Sequence, residues 1–109
     1  MSMENVLTRS GYAVEKASSG EAAVGMLNGG CKPNLMITDL YMGGMNGIEL
    51  IRAARQIASM RFAPILMLTT ESSQDKRGEA KAAGATGWLV KPVNPDALLQ
   101  VVKQILPGA

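Results

Sequence analysis

Residues 35–51 read LMITDLYMGGMNGIELI and join a short apolar run, an acidic residue, a glycine-rich turn and an amphipathic segment. The run over residues 35–37 is apolar without interruption, which is typical of a strand that a parallel sheet buries on both faces. Asn46 then stands as an N-cap before apolar residues at helical spacing. The stretch therefore predicts a strand and its following helix, with Asp39 at the carboxyl end of the strand.

A second unit of the same kind follows. Residues 65–68 form an apolar run that ends on Thr69, and an alanine-rich segment comes after it. Ser72 is predicted to cap the helix in that segment, and Gly84 to end it. This unit places a hydroxyl residue, Thr69, at the carboxyl end of its strand.

The third unit completes the carboxyl-terminal half of the chain. Gly87–Val90 is predicted as a strand that closes on Lys91. Asn94 and Pro95 then stand as the N-cap and first residue of a last helix, since proline is well tolerated at that helical position. Strands separated by helices of this length pair in parallel through right-handed crossovers, so the pattern predicts a doubly wound α/β sheet.

The amino-terminal part is predicted in the same way. A helix through the first residues ends at Gly11, which suits a left-handed cap. Residues 12–17 are extended and moderately apolar, which indicates a further strand. Ser18 with Glu21 three residues later forms a capping-box pattern that opens a short helix.

Composition and charge exclude several classes of protein. A chain of 109 residues with 47% hydrophobic and 18% charged residues forms one ordered domain. The net charge of +2 with scattered basic residues gives no nucleic-acid footprint. A single cysteine, Cys31, and no histidine exclude a disulfide framework and a conventional zinc site. No secretory or transmembrane stretch stands out, so we expect no membrane partner and a cytoplasmic location.

The three strand ends carry residues that suit one kind of chemistry. Asp39, Thr69 and Lys91 are predicted to converge, because ligands of open α/β sheets bind at the carboxyl ends of the strands. A carboxylate can attack phosphorus and form an acyl phosphate, while a hydroxyl and an ammonium stabilise the phosphoryl oxygens. Each residue alone has a simpler explanation. Asp39 could be a turn residue, Thr69 a β-forming residue, and Lys91 a solvated surface residue. Together they predict a phosphoryl-accepting site.

Four stretches in this order resemble the receiver domain of two-component response regulators. They are residues 35–51, PILMLTTES at 64–72, AKAAGATGWLVKPVNPDAL at 80–98, and the closing helix. The resemblance implies a flavodoxin-like (CheY-like) doubly wound parallel sheet and a single receiver domain over residues 1–109. It also implies phosphorelay signalling: a histidine kinase or phosphotransfer protein donates a phosphoryl group, and the domain itself is not an enzyme.

The resemblance also implies residue roles. Asp39 would be the phosphoacceptor, and Thr69 and Lys91 would contact the phosphoryl group. Thr69 and Trp88 would be the switch residues, and the Lys91–Pro92 peptide would be cis. A downstream protein target is expected on the helical face near Trp88, where the indole either rotates behind the hydroxyl residue or serves as a surface anchor.

The chain departs from the family pattern at its start, where receivers begin with a strand that ends in an acidic pair. We therefore expect an amino-terminally truncated sheet that lacks the first strand. We also expect Mg²⁺ to be held weakly, by Asp39 and the backbone carbonyl of Tyr41, and phosphorylation to be severely slowed or lost.

The expected gap in the sheet has three possible resolutions. Residues 12–17 could pair directly with the strand at 35–39, two copies could exchange elements as a homodimer, or the fold could require a further piece. We favour the homodimer, because exposed strand edges recruit other chains.

Two functions other than phosphorylation-dependent signalling stay open. The first is a protein-interaction module, derived from a receiver, that works without phosphorylation. The second is a small flavodoxin-like cofactor binder. The sequence offers no glycine-rich phosphate loop after an early strand, which disfavours the cofactor binder.

Overall fold

The computed structural model describes residues 3–41 and 43–106. Within these ranges a parallel sheet is flanked by helices on both faces. The elements in chain order are α1 (Met3–Arg9), α2 (Gly20–Asn28), β1 (Met36–Thr38), α3 (Gly47–Arg55), a 3₁₀-helix (Ala58–Met60), β2 (Ile65–Thr69), α4 (Gln74–Ala83), β3 (Gly87–Val90) and α5 (Pro95–Ile105).

The sheet has the order β1-β2-β3, and both pairs of neighbours are parallel. All five residues of β2 are buried, as expected for a central strand between two layers of helices. In the register, Ile37 lies beside Leu66, and Met67 lies beside Trp88. The predicted parallel α/β architecture is therefore confirmed, with a flavodoxin-like arrangement of strands and helices.

Alternate residues of β2 point to opposite faces of the sheet and so belong to different cores. Ile65 and Met67 pack in a cluster with residues of α2, α3 and α4. Leu66 packs in a second cluster with residues of α1 and α5. The two layers hold the sheet from both sides and fix the carboxyl ends of its strands at one edge.

The strand predicted for residues 12–17 is not formed. The Tyr12 amide donates instead to the carbonyl of Leu7, at the end of α1. An extended segment becomes a strand only when its backbone pairs with a neighbour, and β1 pairs within the described residues with β2 alone. Direct pairing of this segment with β1, the first of the three possible resolutions, is thus wrong.

Gly11 takes the left-handed conformation that was predicted for the residue after the first helix, with φ of 96°.

Two predicted helix starts are correct. The Asn46 side chain accepts from the amide of Glu49, whose carboxylate accepts in turn from the Asn46 amide, which makes a complete capping box. Asn94 accepts from the amide of Asp96, and Pro95 begins α5. At the carboxyl end of α4, the helix ends at Gly84 as predicted, and this residue takes a left-handed conformation with φ of 115°.

Two other predicted caps are wrong by one residue. Ser19 rather than Ser18 caps α2, and Ser73 rather than Ser72 caps α4. Each site has two adjacent serines, so the choice depends on which hydroxyl meets the free amide in the first turn. Glu21 takes no part in a capping box, because its carboxylate accepts from the backbone amide of another loop.

Arg55, at the end of α3, ties three segments together. Its guanidinium donates to the carbonyls of Met60, Ala63 and Gly84, with distances of 2.6 Å to the Ala63 and Gly84 oxygens. Partial burial lowers the pKa of Arg55, because the charged form loses water contacts. The contacts link the segment before β2 to the cap of α4.

No helix in the described part of the chain combines the length and hydrophobicity that a bilayer crossing requires.

Candidate functional site

The three residues predicted to converge lie at one edge of the sheet. Asp39 directly follows β1, Thr69 ends β2, and Lys91 directly follows β3. The Lys91 amide donates to the Thr69 carbonyl at 2.7 Å, which holds the last two strand ends side by side. The Lys91–Pro92 peptide is cis. The parallel sheet thus brings together three side chains that are far apart in the sequence.

Asp39 and Lys91 form the central contact of the site. The Lys91 Nζ lies 2.7 Å from Asp39 Oδ2, and the Tyr41 amide donates to Asp39 Oδ1 at 3.3 Å. The Asp39 side chain is 34% exposed, so one carboxylate remains reachable from solvent while its oxygens are oriented by fixed donors. A charge-assisted hydrogen bond of this length is among the stronger polar contacts of a protein surface.

The pKa of Asp39 lies below its ordinary value. Burial raises this pKa, but the hydrogen bonds from Lys91, the Tyr41 amide and the Thr69 hydroxyl outweigh burial, and the positive charge of Lys91 adds to them. Asp39 is therefore ionised at neutral pH. An ionised, partly exposed carboxylate beside an ammonium can act as an oxygen nucleophile toward an anionic electrophile.

The loop after Asp39 is anchored on both sides. The Gly47 amide, at the start of α3, donates to the Leu40 carbonyl at 2.8 Å. A Cβ on Gly47 would lie 2.2 Å from the Asp39 carbonyl oxygen, so only glycine permits this approach. Glu21, on α2, accepts from the Met45 amide at 2.7 Å. These contacts fix the direction in which the Asp39 side chain leaves β1.

Thr69 forms the floor of the site. The residue is fully buried, and its hydroxyl oxygen accepts from the amide of Glu71 at 3.3 Å. The hydroxyl also helps to lower the pKa of Asp39. Thr69 is thus in contact with both the carboxylate and the loop that follows β2.

A contact across the mouth of the site was not predicted from the sequence. The Tyr41 hydroxyl donates to the carboxylate of Glu71, whose second oxygen accepts from the Ser73 amide at 3.0 Å. The bond to Glu71 raises the pKa of Tyr41, and the same bond lowers the pKa of Glu71. The sequence contains one indication of this contact, which is the position of its two residues. Tyr41 stands two places after Asp39, and Glu71 stands two places after Thr69.

Trp88 is connected to the same loop. The residue is half-buried and packs against the cluster under α2, α3 and α4. Its indole Nε1 donates to the Glu71 carbonyl at 3.1 Å. The backbone and side chain of Glu71 therefore contact Thr69, Tyr41, Ser73 and Trp88, which makes this residue the junction of the loop.

The described residues do not form a magnesium site by themselves. Over residues 3–41 and 43–106, no group of three acidic, cysteine or histidine side chains is placed to hold a metal. Mg²⁺ prefers six oxygens in near-octahedral geometry. Asp39 offers one carboxylate, and Lys91 already contacts it, so these residues alone do not fit the ion.

The comparison with protein families gives a match over nearly the whole chain. Residues 1–103 match the family described as the response regulator receiver domain. The chain belongs to this family. Receiver domains act in phosphorelay signalling, interact with histidine kinases or phosphotransfer proteins, and generally bind Mg²⁺ at the phosphorylation site.

Similarity to individual proteins supports this assignment. The chemotaxis protein CheY of Pseudomonas aeruginosa is 35% identical over 104 residues, which are 94% of this chain and 83% of that protein. The transcriptional regulatory protein ResD of Bacillus subtilis is 34% identical over 94% of this chain and 41% of its own length. The solved structure of CheY4 of Vibrio cholerae superposes with a TM-score of 0.88 and 42% identity, covering 94% of this chain and 84% of that one.

Proposed function

We propose that this receiver domain accepts a phosphoryl group on Asp39 from a phosphohistidine of a kinase or phosphotransfer protein. The observation that carries the proposal is the contact of 2.7 Å between Lys91 Nζ and Asp39 Oδ2 at the carboxyl edge of the sheet. It pairs an ionised nucleophile with a fixed positive charge. The proposed unit is the whole span of residues 1–109, acting as one domain.

The proposed reaction transfers one phosphoryl group. An Asp39 carboxylate oxygen forms a bond to phosphorus while the bond from phosphorus to the imidazole nitrogen of the donor breaks, and the nitrogen keeps the electron pair. The product is an acyl phosphate on Asp39. Lys91 then pairs with a phosphoryl oxygen instead of Oδ2, and the Tyr41 amide supplies a further donor. The group stays on the protein's own residue, so we propose a signalling protein rather than an enzyme.

We propose that Glu71 transmits a change at Asp39 to the surroundings of Trp88. A phosphoryl oxygen would accept a hydrogen bond from the Thr69 hydroxyl, and movement of that hydroxyl toward the phosphoryl group would stretch the bond that it accepts from the Glu71 amide. Because the Glu71 carbonyl holds the indole of Trp88, a shift of this loop changes the environment of Trp88. We propose that a downstream protein binds the face near Trp88.

We propose that the protein is located in the cytoplasm. Its single cysteine, Cys31, is a free thiol, which accords with a reducing compartment.

We propose that Mg²⁺ binds weakly here. Receiver domains generally bind the ion, but the described residues form no group of three acidic, cysteine or histidine side chains that could hold it. The repulsion between an anionic donor and Asp39 is then offset mainly by Lys91. We therefore expect slow phosphorylation from small donors.

The same observation favours a second candidate function. A receiver fold whose described residues form no such group could act as an interaction module in its unphosphorylated state. In that case the face near Trp88 would bind its partner without any change at Asp39.

Mass spectrometry of the intact chain separates the two functions. The chain would be incubated with acetyl phosphate, with and without magnesium, beside Asp39→Asn and the control Asp75→Asn, which alters an exposed carboxylate on α4. We expect a phosphoryl adduct on the parent and on Asp75→Asn, and none on Asp39→Asn. A folded parent chain that gains no adduct would overturn the proposal in favour of the interaction module.

A further inference from the structure

The loop between β1 and α3 rests on the first turn of α2. The Met45 amide donates to the Glu21 carboxylate at 2.7 Å. A Cβ on Gly44 would lie 3.0 Å from Glu21 Oε1, so the loop backbone passes directly over this carboxylate. A Cβ on Gly20 would lie 3.0 Å from Met45 Sδ. One glycine in the loop and one in the helix thus let the two segments approach closely.

Glu21 is available for this contact because another residue caps its helix. The Ser19 hydroxyl accepts from the Ala22 amide in the first turn of α2. An exposed glutamate loses side-chain freedom when it is fixed, so a contact must repay that loss. The bond from a backbone amide to a carboxylate is charge-assisted and therefore stronger than a bond between neutral groups. The contact of Glu21 with the loop accordingly holds the carboxylate in place.

The middle of the loop has a sequence that needs such support. At its two ends the loop is fixed by the bond to the Leu40 carbonyl and by the capping box of α3. Gly43 and Gly44 lie between these ends, and Gly44 has φ of 79°. Glycine has more backbone freedom than any other residue, so this part of the loop gains most from an external contact. The bond from Met45 to Glu21 supplies one.

We propose that Glu21 is a positioning residue for the reaction at Asp39, and that it acts through this loop by holding the Tyr41 amide against the Asp39 carboxylate. The inference rests on the proposed function, in which this amide becomes a donor to the phosphoryl group. The Tyr41 amide lies 3.3 Å from Asp39 Oδ1, which is long for such a bond, so a small displacement of the loop is enough to lose it. Glu21 bonds to Met45 further along the same loop, and its effect on Asp39 is therefore indirect.

The response to glutamine separates positioning from a charge effect. The amide oxygen of glutamine accepts hydrogen bonds as a carboxylate oxygen does, so Glu21→Gln keeps an acceptor for the Met45 amide. Alanine removes the acceptor altogether. If Glu21 acted through its negative charge, glutamine and alanine would have similar effects. If it positions the loop, glutamine should behave like the parent.

Hydrogen exchange of the unphosphorylated full chain, followed for single amides by NMR, is the first test. Loop amides exchange by local opening, so the Tyr41 amide reports the loop rather than the stability of the whole fold. Glu21→Ala should speed its exchange about three- to tenfold, a factor that corresponds to one net hydrogen bond. Glu21→Gln should remain within about twofold of the parent. The matched control Glu15→Ala, which removes an exposed glutamate before α2, should leave this rate unchanged.

The rate of adduct formation with acetyl phosphate is the second readout, measured where circular dichroism shows every variant to be fully folded. Glu21→Ala should slow it about three- to tenfold, because a backbone donor to the phosphoryl group is no longer held in place. Glu21→Gln should restore the rate. A parent chain that gains no adduct would count against the proposed function, while the exchange test would still decide whether Glu21 holds the amide.

Two results would overturn the inference. The first is an unchanged exchange rate of the Tyr41 amide in Glu21→Ala, since the contact would then affect Met45 alone. The second is a Glu21→Gln variant that exchanges and reacts as Glu21→Ala does, which would assign the effect to the charge of Glu21 instead of its role as an acceptor.

Discussion

The hydroxyl of Tyr41 donates a hydrogen bond to the carboxylate of Glu71, and this bond joins the loops after β1 and β2 above Asp39. The same Glu71 holds the Ser73 amide through its side chain and the Trp88 indole through its carbonyl. Breaking the bond between Tyr41 and Glu71 would therefore alter a residue that also holds the indole of Trp88. Glu71 thus links the loop after Asp39 to Trp88.

Replacement of Tyr41 by phenylalanine should speed phosphorylation of Asp39. The variant keeps the ring and removes the bond that joins the loops after Asp39 and Thr69, and we expect the freed loops to ease the approach of a donor. A single hydrogen bond between exposed side chains contributes little net free energy, so we expect an increase of roughly two- to fivefold in the initial rate of adduct formation with acetyl phosphate. Tyr12→Phe, at the tyrosine outside the site, is the control and should leave the rate unchanged. Equal rates for parent and Tyr41→Phe would show that the bond does not restrict access.

Replacement of Glu71 by glutamine should lower the pKa of Tyr41 toward its ordinary value of about 10. The hydrogen bond to Glu71 is the main cause of the raised pKa, with desolvation and the negative charge of Glu71 adding to it. A raised pKa in the folded state stabilises the fold below the unfolded pKa, and this contribution disappears as pH rises through the folded value. Ultraviolet titration of the parent and of Glu71→Gln measures the change. Identical titration curves for the two proteins would contradict the assigned bond.

The elements predicted correctly are those whose signals are local. The apolar runs of β1 and β2, the N-cap Asn46 and the helix end at Gly84 each depend on residues within one turn or one strand. The strand predicted for residues 12–17 was wrong for the opposite reason. The extended pattern of these residues suits a strand, but a strand forms only when it pairs with a partner from elsewhere in the chain. The convergence of Asp39, Thr69 and Lys91 was predictable because parallel strands share one carboxyl edge.

The contacts that escaped prediction join residues far apart in sequence through loops. Tyr41 meets Glu71 across 30 positions, and Arg55 meets Gly84 across 29. The path of a loop depends on how it packs in the folded chain, which a single sequence does not show. No sequence pattern therefore indicated the bond between Tyr41 and Glu71 or the contacts of Arg55.

Replacement of Lys91 by methionine should raise the pKa of Asp39. In the parent, burial raises the pKa of Asp39, but hydrogen bonds outweigh burial and the pKa is lowered overall. The variant removes the hydrogen bond from Lys91, which is the strongest of these contacts. In the parent the lowered pKa stabilises the fold above the unfolded value of about 3.9, and this contribution is lost as pH falls through the folded pKa. NMR titration of the Asp39 carboxyl measures the shift, with Lys103→Met as the control. An unchanged titration would mean that Lys91 does not pair with Asp39 in solution.

Replacement of Arg55 by methionine should destabilise the fold by about 2 to 3 kcal/mol, because it leaves the carbonyls of Met60, Ala63 and Gly84 without their donor. Arg55→Lys should recover only part of this loss, since one ammonium cannot reach all the carbonyls that a planar guanidinium bridges. Urea unfolding followed by circular dichroism gives the free energies. Arg52→Met, at an exposed position on the same helix, is the matched control and should change the free energy of unfolding by less than about 0.5 kcal/mol. Equal losses for Arg52→Met and Arg55→Met would show that the effect comes from helix α3 itself and not from the contacts that tie it to the strands.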